Sequence, residues 1–81
     1  TVLIGLSRTL GGEVKVSCRI SGDSERGPDL RRLMHETISL TGGEGGGHPI
    51  AAGAVIPQDK EDLFITTLLE QLQKQLLEEH I

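Results

Sequence analysis

The chain has 81 residues, 8 Lys and Arg against 12 Asp and Glu, a formal net charge of −4, one cysteine and one aromatic residue, Phe64. That length makes one small domain, residues 1–81, whose core is modest. Its acidic balance and lack of aromatic platforms exclude strong nucleic-acid binding by the domain alone; no apolar run approaches the ~18 residues of a membrane span; and a lone Cys18 excludes an internal disulfide framework or a Cys-cluster metal site. No basic-then-apolar signal segment opens the chain, and cysteine usage fits a reducing, cytoplasmic setting. The first residue is Thr1 rather than Met, and the expectation is a piece of a longer protein whose missing part lies upstream.

Val2-Leu3-Ile4-Gly5-Leu6 is a short apolar run and predicts a strand. Leu10-Gly11-Gly12-Glu13 carries a hairpin turn signal. Val14, Val16, Cys18 and Ile20 then alternate with Lys15, Ser17, Arg19 and Ser21. Period two gives one apolar and one polar face, so Cys18 reads as a small core residue while Ser17 and Arg19 share the polar side. A polar loop with Gly22 and Gly27 follows, and Asp29 can cap a helix with apolar positions Leu30, Leu33, Met34 and Ile38. Thr41-Gly42-Gly43 stops that helix. Ile50 to Ile56 predicts a strand of small and β-branched residues ended by Pro57. Asp59, Glu61 and Asp62 open a last helix at its positive end. Leu63, Phe64, Ile65, Leu68, Leu69, Leu72, Leu76 and Leu77 predict a wide apolar face on it, with Glu70, Gln71, Gln73, Lys74, Glu78 and Glu79 on the rest. The order β-β-α-β-α predicts an α+β domain, two helices on a small mixed sheet. Three strands leave an edge or an apolar face for an upstream domain or a second copy to cover.

Between the first helix and the Ile50 strand lies Gly43-Glu44-Gly45-Gly46-Gly47-His48-Pro49. Glycine costs conformational entropy on folding, and a run of it is kept where φ is positive or another group comes close. Read as a tight bend, the run can aim successive N–H groups of Gly45, Gly46 and Gly47 at an anion. His48 can add a donor near neutral pH. The plain alternative is a connection in which His48 caps a carbonyl. Glu44 would repel an anion there and is expected to point away. Arg19 is either a solvated charge or a fork that bonds two phosphate oxygens. His35 reads as a helix-surface histidine, and His80 suits the last turn of its helix. The three histidines have no metal-ligand spacing, so no metal site is expected in this chain. Arg31, Arg32 and Lys15 can extend a positive surface, but nothing in the sequence places them near the glycines.

The run Gly43–Gly53 resembles the glycine–histidine motif of the C-terminal associated domain of DHH-type phosphoesterases. In its longer form, Gly42–Pro57, it most resembles the archaeal RecJ-like exonuclease branch, and the resemblance extends over essentially the whole chain. It implies that Arg19, in its Ser-x-Arg segment, contacts substrate phosphate with Ser17 in support, beside Gly45, Gly46, Gly47 and His48. It also implies an upstream DHH catalytic domain whose two divalent metal ions, Mn or Mg, hydrolyse phosphodiesters of single-stranded nucleic acid. No catalytic residue is expected here, since the Asp-His-His signature is absent. Nucleotide phosphatases and oligoribonucleases share the domain and are a second expectation. A non-catalytic oligomerisation or tRNA-contacting module, with a second copy on the last helix to form a homodimer, is a third.

Overall fold

Local alternation at residues 14–20 is realised directly: Val14, Val16 and Cys18 are buried, while Lys15, Ser17 and Arg19 are exposed on the other side of the same strand. A computed structural model describes residues 2–21 and 28–78. The elements are β1 (Val2–Arg8), β2 (Glu13–Ile20), α1 (Leu30–Thr41), β3 (Glu44–His48), β4 (Ala51–Pro57), a short 3-10 turn (Gln58–Lys60) and α2 (Glu61–Glu78). The loop glycines Gly22 and Gly27, and Glu79 and His80, lie outside the described residues.

The four strands form one sheet in the order β1-β2-β4-β3, and every neighbouring pair is antiparallel. The architecture is α+β as expected, with two corrections. A fourth strand is present, and the sheet is not mixed. Two hairpins account for both: β1 returns into β2 through residues 9–12, and β3 returns into β4 through Pro49 and Ile50. Helix α1 carries the chain from β2 to the far edge, so β4 comes back antiparallel between β3 and β2.

Both helices cover one face. Val14, Val16, Cys18, Ala52, Ala54 and Ile56 of the sheet pack with Leu30, Leu33, Met34, Phe64 and Leu68 of the helices. Asp29 caps α1: its side chain accepts from the N–H groups of Arg31 at 3.0 Å and Arg32 at 3.2 Å, worth about 1 kcal/mol. Gln75 of α2 is buried against the same turn, its Oε1 accepting from Asp29 N–H at 2.9 Å and its Nε2 donating to Asp29 C=O at 3.2 Å. Arg32 forms ion pairs with Glu36 and Glu78; at the surface these add little. Gly42 ends α1 at φ 86°, its N–H bonding the Ile38 carbonyl at 2.8 Å.

Helix α2 is less apolar inside than its leucines suggest. Its buried stripe is Phe64, Thr67, Leu68, Gln71 and Gln75. Ile65 and Leu72 are half-buried, and Leu63, Leu69, Leu76 and Leu77 are exposed. The predicted wide face is therefore split, and Gln71 moves from the polar side to the buried one. The reason is that α2 contacts both α1 and the sheet, so the seam is set by its neighbours rather than by the largest apolar arc. Among the described residues, no helix is long and apolar enough to cross a membrane.

Burial raises the pKa of the Cys18 thiol above its ordinary 9.0, because the thiolate would lose its hydration. A raised folded pKa contributes stability that is complete below the unfolded value and is lost as pH rises through the folded one. The urea midpoint should thus fall between pH 8 and pH 10, and by less in Cys18→Ala; equal falls in both proteins would refute the assignment.

Candidate functional site

The face of the sheet away from the helices carries the candidate site. Strand pairing puts residues into rows that run across the strands. One row is Leu3, Arg19, Ala51 and His48; the next is Gly5, Ser17, Gly53 and Gly46; the third is Ser7, Lys15, Val55 and Glu44. Residues directly opposite in an antiparallel pair share a face. Arg19 and His48 therefore flank Ala51, two strand spacings apart, about 10 Å between backbones. Alanine leaves the space between them open. Ser17 sits one row along, beside Arg19.

The glycine run is not a bend. Glu44–His48 is an edge strand, exposed throughout and paired to β4 on one side only. The expected concave cradle of three successive N–H groups is thereby corrected, because N–H groups alternate in direction along a strand. Those that face away from β4 remain available at the edge. The three glycines also differ from one another. Gly45 and Gly47 stand opposite the buried Ala54 and Ala52, on the helix side. An added Cβ at Gly45 would press on the Gly53 carbonyl and come within 2.7 Å of the Ala54 Cα. At Gly47 it would lie 2.5 Å from the Ala52 Cα, at a φ of 153°. Close strand packing explains both glycines. Gly46 stands opposite Gly53 on the open face, and an added Cβ there would meet nothing within 4 Å.

The structure thus brings Ser17, Arg19, Gly46 and His48 to one face and leaves Gly45 and Gly47 directed to the other. Among the described residues, the side chains of Lys15, Ser17, Arg19 and His48 make no hydrogen bond or ion pair. Of the other described cations, Arg8 pairs with Glu61, Arg32 with Glu36 and Glu78, and Lys60 with the Thr41 carbonyl, while the side chains of Arg31 and Lys74, away from this face, make no ion pair. Four unpaired donors on one face can take an anion from water without first breaking an internal contact. Glu44, expected to point away, is instead exposed on this same face, because it and His48 are four residues apart on one strand; it lies in the row of Lys15, two rows from His48. His35 is on the exposed side of α1, and Arg31 lies near it in the groove between α1 and β3.

Parity along β2 already placed Lys15 with Ser17 and Arg19, but not near the glycine–histidine strand; Gly5 and Gly53 were missed as members of this face. For Gly5 and Gly53 the signal exists only once the strands are in register. Two concavities on this face share Gly5, Ser17 and Gly53 as their floor. Among the described residues, no group of three or more His, Cys, Asp or Glu side chains could hold a metal ion, and no step is assigned to one in this chain.

No curated protein matches the chain. The family model of the DHHA1 domain matches residues 1–74. Such a domain is normally attached to a DHH catalytic domain. Matched over nearly its whole length and with the glycine–histidine strand within the match, the chain belongs to the DHHA1 family, the associated domain of DHH-family phosphoesterases.

Proposed function

We propose that this chain is the substrate-binding domain of a RecJ-like exonuclease and that its open sheet face grips a phosphate of single-stranded nucleic acid. The observation that supports this most is the convergence of Ser17, Arg19 and His48 on one face with their donors unpaired. Arg19 supplies a planar fork for two phosphate oxygens. His48 approaches from the other side of Ala51, and Ser17 adds a hydroxyl. Outward N–H groups of β3 complete the set at the edge. Hydrolysis belongs to the upstream DHH domain, and this chain contributes position. Holding a scissile phosphodiester in line can supply several kcal/mol of barrier reduction.

An NMR titration with inorganic phosphate and then a 5′-mononucleotide tests the grip. Saturable shifts are expected at the His48 ring, the Arg19 guanidinium and the β3 amides. Arg19→Gln and His48→Ala should each weaken binding about tenfold, the scale of one charge-assisted hydrogen bond. In the full-length protein, His48→Ala should lower turnover while the fold remains intact. Unchanged phosphate affinity in both variants would refute the reading.

A further inference from the structure

Three glycines and one serine form a row across all four strands: Gly5, Ser17, Gly53 and Gly46. Glycine weakens a strand, and it recurs where a ligand or another backbone comes close. For Gly46 the fold itself supplies no reason. Its φ is not positive, and an added Cβ would have open space. At Gly5 an added Cβ would meet only the Ser17 Oγ at 2.9 Å, the end of a side chain that can turn. Gly53 is closer held, with the Val16 carbonyl 3.1 Å from an added Cβ. The row is a trough floored by backbone, about 14 Å long over three strand spacings. Its walls are the Arg19 row on one side and the Lys15 row on the other.

The geometry points to a second subsite: resting on the phosphate grip proposed above, the trough seats the nucleoside joined to that phosphate, and Lys15 holds the next phosphate of the strand. A ring or sugar reaches van der Waals contact with backbone only where no Cβ intervenes. Lys15 and Arg19 are four residues apart on β2, about 13 Å between Cα atoms. Both are long, both are unpaired, and they flank Ser17 from opposite walls. That order of cation, uncharged floor and cation complements anion, nucleoside and anion. The acids of this face stand off that path. Glu44 is on the Lys15 wall but two strands away on β3, and Glu13 lies beyond Lys15, opposite Pro57. Glu44 disfavours an anion at the β3 end of that wall, so the second phosphate is directed to β2. A 5′-phosphorylated dinucleotide fills both phosphate subsites, whereas a lone mononucleotide fills only the first.

The test compares inorganic phosphate, a 5′-mononucleotide and a 5′-phosphorylated dinucleotide on the same 81-residue chain, by NMR titration. The dinucleotide should bind about tenfold more tightly than the mononucleotide. Lys15→Gln should erase that advantage. Gly46→Val should erase it too, by placing a branched side chain in the trough, with thermal unfolding showing that the variant folds. If Gly46→Val fails to fold, Lys15→Gln decides alone. Inorganic phosphate shifting Arg19 and His48 while the dinucleotide binds no better than the mononucleotide would overturn the subsite and leave the grip standing. No phosphate shift at Arg19 and His48 would overturn both. A dinucleotide advantage that survives Lys15→Gln would remove Lys15 from the site.

Discussion

Phe64→Ala is expected to leave the domain unfolded or on the verge of unfolding. Phe64 is the only aromatic residue of the chain and is fully buried at the start of α2. Truncating a buried Phe costs about 3–5 kcal/mol, part lost transfer energy and part cavity. A domain of this size has roughly 4–12 kcal/mol in total. Among the described residues no second aromatic side chain can fill the space: the other core side chains are leucine, isoleucine, valine, alanine, methionine and cysteine, anchored on strands and helices that already meet. Thermal unfolding followed by circular dichroism should show either no cooperative transition or a midpoint at least about 15 °C lower. A midpoint within a few degrees of the parent would mean that Phe64 does not anchor α2 to the sheet.

Gly45→Val and Gly47→Val are expected to detach β3 from β4, whereas Gly46→Val between them leaves the strand in place. The contrast comes from what each new Cβ would touch. At Gly45 and Gly47 it is the backbone of the paired strand, which cannot swing aside as a side chain can. Relief requires β3 to move away, and His48 then leaves the Arg19 row. Native-state hydrogen exchange should show lost protection on the β3-facing side of Ala51–Val55 in Gly45→Val and Gly47→Val, with phosphate affinity falling alongside. Gly46→Val should keep that protection. Retained protection in Gly45→Val would show that β3 and β4 are not packed as closely as described, and would weaken the link between strand pairing and the site.

Much of this fold was legible one element at a time. The polar face of β2, the Asp29 cap, the Gly42 stop and the buried Cys18 each depend on residues within a few positions of one another, and each is found where its local pattern places it. The failures share a different cause. Gly45-Gly46-Gly47 lacks every side-chain signal of a strand, since glycine is depleted in strands. It becomes one because β4 is lined by Ala52, Gly53 and Ala54, small enough for a backbone to lie against them. Gln71 looks solvent-facing in a helical pattern, yet it is buried; Gln75, to which the pattern assigned no face, is buried as well, its amide bonded to the Asp29 backbone at the start of α1.

By itself, the sequence determined that Ser17 and Arg19 look out from the same side of β2, and that the glycine–histidine segment belongs with them in one family of domains. These are matters of side-chain period and motif, properties of neighbouring residues. Only the tertiary structure decided that His48 stands in the row of Arg19, that Lys15 forms the opposite wall, and that Gly5, Gly53 and Gly46 align into a floor between them. Register between strands depends on pairing across the sheet, and a slip of one residue would turn each of these groups to the other face.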